Sequence, residues 1–401
     1  MSSNNYDVPV LMYHSIGIPN KEWNWNYLTC PFDKFEKQLQ AISAKGYNTI
    51  TLNQLYDYMV GGKSLPKKAI AITFDDGYLD IFTYAYPLLK KYNMCGTVFI
   101  NPDFVDPRQG LSAQYNCDGK TDGLPQSGFL NWDEIIKMDS EGVVYSESHA
   151  LTHTWYPISN KIVDFRHPGD EYKWMTWNDN VAQKYSLQFD GIDLAKYGQP
   201  VYEHEKSLMH KRVMHDTSLD KFIIDYVTKN GGDNFFNHAN YKQQLMNKVD
   251  EYKLNNKMHY IVESDEQFFE RIKHELSYTK TILEEKLGRK ITFLCWPGGS
   301  ATKVGMTIAK DLNYQFFNSA RDMNSSQKAS VKNIPYGGER IKRFTPIIYF
   351  NNQENFNSKI IFAGKFWMQA YLYRHQASFI SKIFFKAFSA TAKLYYKKVN
   401  K

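Results

Sequence analysis

The decapeptide AIAITFDDGY, residues 69–78, carries a run of apolar and β-favouring residues directly into two adjacent carboxylates and a glycine. Ala69 to Phe74 is a continuous apolar stretch of strand length, which predicts a strand buried on both faces, as in a parallel sheet. Asp75 and Asp76 then emerge from apolar surroundings, where two like charges are costly unless a cation compensates them. Successive strand residues point to opposite sides, so the two acids could serve separate tasks. An Asp-Gly turn leading into a helix cap is the alternative reading of the same residues.

The same pattern repeats on either side. Pro9 to Ser15, Thr97 to Ile100, Val143 to Tyr145 and Ile291 to Leu294 read as further buried strands. Between them lie helical stretches: Phe32 to Ala44, ended by Gly46; the segment after Gly77 to about Tyr92; and a helix opened by the capping-box pattern Ser264-Asp265-Glu266-Gln267 and ended by Gly288. Strands alternating with helices imply a parallel α/β sheet or barrel. Two regions depart from it. The polar stretch from Tyr156 to about Val262 reads as an insertion between core elements, and the chain after about Asn351 differs in composition. The expected organisation is a catalytic domain over 1–350 with that insertion at about 156–262, and a basic tail over 351–401.

A second group with chemical potential is His149-Ala150-Leu151-Thr152-His153, just after a predicted strand. Histidines at i and i+4 on a helical turn share one face and can share one ion. Two histidines and one carboxylate leave positions open for water, as a catalytic metal requires. His14, after the first apolar run, is a third candidate, although a lone histidine there is more often a core residue.

Taken together, these residues resemble the polysaccharide deacetylase family, which shares the NodB homology domain (carbohydrate esterase family 4). Thr73 to Gly77 matches its first motif, His149 to His153 its histidine motif, and Cys295-Trp296-Pro297-Gly298-Gly299 its later glycine segment. The opening LMYHSIG and the stretch Gly338 to Ile341 are similar to the circularly permuted branch that resembles poly-N-acetylglucosamine deacetylases. The resemblance covers roughly residues 8–155 and 264–345. It implies an α/β fold, a distorted (β/α) barrel of the NodB type, here with a long insertion and a C-terminal amphipathic helical tail. It further implies one divalent metal, with zinc expected, held by Asp76, His149 and His153. Asp75 would be the general base, His14 the general acid, and the backbone N–H of Tyr78 an oxyanion donor. Trp296, Pro297 and Arg340 would contact substrate. The family's usual arginine-containing partner of the base is absent from Cys295–Gly299, and Arg340 or Arg343 is the expected substitute. Arg166-His167-Pro168-Gly169 imitates that motif but lies within the insertion.

The net charge of +7 is unevenly placed. Nine lysines and arginines and no acids fall between Asn355 and Lys401, leaving a net of −2 for everything before them. A near-neutral body argues against nucleic-acid binding. Between Ser378 and Val399, Lys382, Lys386, Lys393 and Lys397 share one helical stripe. Ile380, Phe384, Ala387, Phe388, Leu394 and Tyr395 lie opposite. Such a helix suits an anionic membrane surface; a helix packed on the barrel with its lysines in water is the bland alternative. The N-terminus shows no basic segment followed by a long apolar core. A cytoplasmic enzyme, peripheral on the inner membrane, is therefore expected, acting on an N-acetylated sugar that is lipid-linked or a surface-glycan precursor. The alternatives are a deacetylase of polymeric or oligomeric N-acetylglucosamine, or a non-catalytic glycan-binding protein on the same scaffold. The four cysteines lack metal-type pairing and read as buried free thiols.

Overall fold

The computed structural model describes residues 8–20, 23–59, 63–189, 193–318, 341–349 and 360–375, with separate helical positions between 380 and 394. The chain divides into two compact units. One comprises residues 1–151, 277–299 and 309–401, the other 152–276 and 300–308.

The first unit is built on eight parallel strands: β1 (Val10–Tyr13), β2 (Asn48–Thr49), β3 (Ala69–Phe74), β4 (Gly96–Ile100), β5 (Val144–Ser148), β6 (Phe293–Cys295), β7 (Gln315–Asn318) and β8 (Ile341–Lys342). Their order is β1-β3-β4-β5-β6-β7-β8, with β2 paired to β3, and every pairing is parallel. Just past β8 the chain returns to β1. Phe344 bridges Leu11, accepting from the N–H of Met12 and donating to the carbonyl of Val10, both at 2.8 Å. The curled sheet is thus joined end to end, the distorted barrel expected from the alternation.

Local chemistry explains these elements. All six residues of β3 are buried, so their run needs no polar alternation. The helix Phe32–Ala44 buries Phe35, Leu39 and Ile42 on one stripe. Phe35 meets Tyr13 of β1 edge-on, with ring centroids 5.1 Å apart, and Tyr13 stacks on Phe74 of β3. Each such side chain contributes about 1.5–3 kcal/mol by burial. Arg289 forks onto Asp139 at 2.9 and 2.6 Å and reaches Glu147 at 3.0 Å, tying the helix Trp132–Ser140 to β5. In the helix Asp265–Leu287, Ser264 Oγ accepts from the Gln267 N–H while Gln267 Oε1 accepts from the Ser264 N–H, which completes the expected capping box.

The second unit holds an antiparallel pair, Trp155–Phe165 with Pro200–Lys206, which weak sequence periodicity did not reveal. Helices Ser218–Lys229 and Tyr241–Asn255 enclose Phe165, Leu219, Ile223, Val227, Leu245 and Val249. Arg166, fully buried here, donates to Asp170 at 2.7 Å and to Thr176 at 3.2 Å, so its motif-like context is structural.

Of the cysteines, Cys30 and Cys295 are buried, whereas Cys95 and Cys117 are half-buried, and all four are free thiols. Among the described residues no helix is long and apolar enough to cross a membrane.

Candidate active site

Parallel strands deliver their next residues to a common rim, the carboxyl end of the sheet. His14 follows β1, Asp75 and Asp76 follow β3, Asn101 follows β4, His149 follows β5, Trp296 follows β6 and Arg343 follows β8. Residues spread over 330 positions of sequence are assembled by topology alone.

Asp75 is the centre of this group. It is 3% exposed, and both carboxylate oxygens accept from Arg343, Nη1 to Oδ1 at 2.6 Å and Nη2 to Oδ2 at 2.7 Å. Arg343 is itself buried, and its Nη1 also reaches Thr73 Oγ1 at 3.2 Å. Burial by itself pushes the Asp75 carboxyl up. The charge and hydrogen bonds of Arg343, with His149 and His14 adding to them, outweigh it and hold the group below its ordinary 3.8. The same ion pair drives the Arg343 guanidinium higher than usual despite its burial. Arg343 therefore partners Asp75; Arg340, the other expected substitute, lies outside the described residues.

His14 Nε2 stands 3.9 Å from Asp75 Oδ2, and its side chain is 21% exposed, so it faces both the carboxylate and the opening. Cys295 Sγ lies 3.8–3.9 Å from the Asp75 oxygens and 2.9 Å from Arg343 Nη2. Burial raises the Cys295 thiol, which keeps it a neutral neighbour of the ion pair.

Asp76 and Gly77 adopt positive φ, 71° and 75°. The two acids diverge because of this turn, which begins after the last strand residue, and not through strand alternation. An added Cβ at Gly77 would meet Ile100 Cδ1 at 3.0 Å, so the turn requires glycine. The histidine segment also differs from expectation. Residues 149–154 form no helical turn, and Ala150 and His153 both take positive φ, 58° and 38°. The loop is pinned from β4: Asn101 Nδ2 donates to the carbonyls of His149 and of Ala150, the latter at 3.1 Å. Asn101 carried no motif signal in the sequence.

His149 Nδ1 lies 2.7 Å from the Cys295 carbonyl, an acceptor only, so Nδ1 carries the proton. Its Nε2 faces Asp76 Oδ1 at 3.3 Å. That pair is bridged by a positive charge, either a second imidazole proton donated to the carboxylate or a metal ion bound by both. Ligand atoms about 2.1 Å from a tetrahedral ion are spaced at roughly this distance. Asp76, His149 and His153 each offer one donor atom, all within 4.8 Å of one another, so the donor set fits a divalent metal. Asp75, His149 and Cys295 form a second such group, but Arg343 already occupies both oxygens of Asp75.

Tyr78 is buried, bridges Phe129, and its phenol is raised, chiefly by burial and then by the Asp76 charge. Trp296 is 1% exposed and Pro297 is buried, so neither offers an open platform here.

Known sequences and structures are similar to this chain in part. A family model described as polysaccharide deacetylase matches residues 62–185, which include the Asp pair and both histidines. A poly-β-1,6-N-acetyl-D-glucosamine N-deacetylase of Escherichia coli is 36% identical over 30% of this chain and 16% of its own length. Its counterpart from Staphylococcus epidermidis is 36% identical over 38% of this chain and 44% of its own. These matches therefore span less than half of each relative. Among solved structures, a de-N-acetylase of Aggregatibacter actinomycetemcomitans is similar over 84% of this chain and 93% of that one, with 18% identity and a TM-score of 0.49. The motif residues lie on the rim of parallel strands, and over residues 62–185 the chain is similar to the polysaccharide deacetylase family.

Proposed function

We propose that the protein is a metal-dependent N-deacetylase that hydrolyses the acetamido group of an N-acetylated sugar. The observation that carries this reading is Asp75, locked as an anion by Arg343 beside His14, with Asp76 and His149 paired next to it. A divalent metal held by Asp76, His149 and His153 would supply a Lewis acid that polarises the acetyl carbonyl and lowers the pKa of water.

The chain's own residues account for the protons. Asp75 accepts one from the attacking water as the new C–O bond forms. Arg343 fixes the orientation of that carboxylate and keeps it unprotonated. His14 delivers a proton to the sugar nitrogen as the C–N bond breaks, so water and amide become acetate and amine. The backbone N–H of Tyr78, in the turn that begins at Asp76, is assigned to the developing oxyanion.

The curated relatives, named for poly-β-1,6-N-acetyl-D-glucosamine, favour a glucosamine polymer or oligomer as substrate. A second reading, a lipid-linked sugar met at an anionic membrane face, rests on the tail. Ile380, Ile383, Phe384 and Leu394 are all exposed there, together with Lys386. Lys382, Lys393, Lys397 and Tyr395 of the expected stripes lie outside the described residues.

The deciding experiment measures acetate release from N-acetylglucosamine oligomers and from extracted membrane glycolipids, using wild type, chelated protein and Asp75→Asn. Release that needs both metal and Asp75 establishes the activity, and the productive substrate separates the two readings. No release from either substrate by metal-loaded protein would leave the scaffold a glycan-binding one.

A further inference from the structure

The second unit contains a cavity of about 290 Å³ of its own, between the antiparallel pair and the start of the helix Ser218–Lys229. Its size lies at the small end of ligand pockets, suited to a single ring and not to an extended chain. Trp174 and Tyr202 supply aromatic wall, and Asn178, Gln199, Arg212 and Asp220 supply polar groups.

Four polar atoms of these lining side chains are buried without a hydrogen-bond partner: Trp174 Nε1, Tyr202 Oη, Arg212 Nε and Asp220 Oδ1. Trp174 is 7% exposed and Tyr202 5%. The other Asp220 oxygen is already used, accepting from Gln199 Nε2 at 3.0 Å. Each unpartnered group costs roughly 1–3 kcal/mol, so four around one small cavity mark a place where a ligand restores what folding leaves unmade. Their chemistry differs in kind. The indole and guanidinium N–H groups only donate, the carboxylate oxygen only accepts, and the phenol does both.

That combination selects the ligand. An apolar molecule leaves all four groups unsatisfied. An anion meets the unpartnered oxygen of Asp220, and a simple cation has nothing to give the indole N–H while facing Arg212. A neutral sugar ring meets every condition. Its hydroxyls both donate and accept, and its C–H faces suit aromatic walls. We propose that this cavity is a second carbohydrate site, binding one neutral hexopyranose unit of a glycan independently of the hydrolytic residues. The proposal goes beyond the deacetylase reading and does not require it.

The test uses the full chain carrying Asp75→Asn, so that no sugar is turned over, titrated calorimetrically with N-acetylglucosamine tetramers in β-1,4 and β-1,6 linkage. Saturation-transfer NMR reports which protons of the tetramer are contacted. Adding Tyr202→Phe or Asp220→Asn, both near-isosteric, should each weaken one class of binding about tenfold, with unchanged circular dichroism. Binding of wild-type strength in both variants, or no binding by the parent, overturns the proposal. The two readings fail separately. Wild-type protein that releases no acetate yet shows Tyr202-dependent binding refutes only the enzyme. Acetate release combined with binding indifferent to Tyr202 and Asp220 refutes only the second site.

Discussion

Arg343 lies 268 positions beyond Asp75 in sequence, yet its guanidinium grips both oxygens of that carboxylate at 2.6 and 2.7 Å. Both partners are buried, so removing one leaves the other as an uncompensated charge. Arg343→Met is expected to lower stability by about 3–5 kcal/mol and to reduce kcat roughly a hundredfold or more. Arg343→Lys should recover part of the stability and less of the rate, because an ammonium cannot hold both oxygens in one plane. Denaturant melts and steady-state acetate release check this pair of effects. A lysine variant with wild-type kcat would mean that the fork geometry is irrelevant.

Removing the metal should silence the enzyme without unfolding it. Asp76 and His149 stand on segments fixed by the sheet and by Asn101, so most of the donor set persists without the ion. Chelation is expected to abolish acetate release, and re-addition of one equivalent of divalent metal to restore it. At free metal a hundredfold above its Kd, thermal stability should rise by an amount equivalent to about 2.7 kcal/mol. His149→Ala should lose both effects. Calorimetry and a metal titration provide the measurement, and full activity in exhaustively chelated protein would refute the assignment.

The elements with strong local signals were legible in advance. The helix Phe32–Ala44 and the strand Ala69–Phe74 have the expected bounds, because an amphipathic stripe and an unbroken apolar run need no tertiary context to be recognised. The capping box at Ser264 is equally local. What escaped depended on distant partners. Nothing near Arg343 distinguishes it from Arg340; only the return of the chain to β1 after β8 selects it. The i, i+4 spacing of His149 and His153 suggested a helical turn, but two residues of positive φ and an asparagine from β4 set that loop instead. The carbonyl of Cys295, which fixes the imidazole tautomer, leaves no trace in a sequence because every residue has one.

The tail prediction is independent of catalysis. Exposed Ile380, Phe384 and Leu394 together with a stretch free of acids should bind vesicles containing anionic lipid and not purely zwitterionic ones. Phe384→Glu is expected to weaken binding by at least tenfold, and raising salt to several hundred millimolar should weaken it further. Co-sedimentation with vesicles gives the answer. Equal binding to both lipid compositions, or none, would reject the membrane reading and leave the polymer substrate alone.

Asp80 makes a prediction about pH. It is 6% exposed, accepts a hydrogen bond from Ser15, and burial raises its carboxyl from 3.8 to about 6 against the opposing hydrogen bonds of Ser15, Ile16 and Ile81. In the unfolded chain it titrates near 3.9. Below about pH 4 the carboxyl is protonated in both states, and its contribution to stability is fully present. As pH rises the unfolded chain ionises first, so stability is lost progressively until the folded group also ionises near pH 6. Above that the loss is constant, at roughly 3 kcal/mol. Asp80→Asn replaces the acid by a neutral isostere that still accepts from Ser15. The variant should therefore be more stable than wild type by up to that amount at pH 7–8, with the gap closing towards pH 4. Urea melts from pH 4 to 8 measure the gap directly. A gap that stays constant over that range would mean that the burial of Asp80 carries no electrostatic cost.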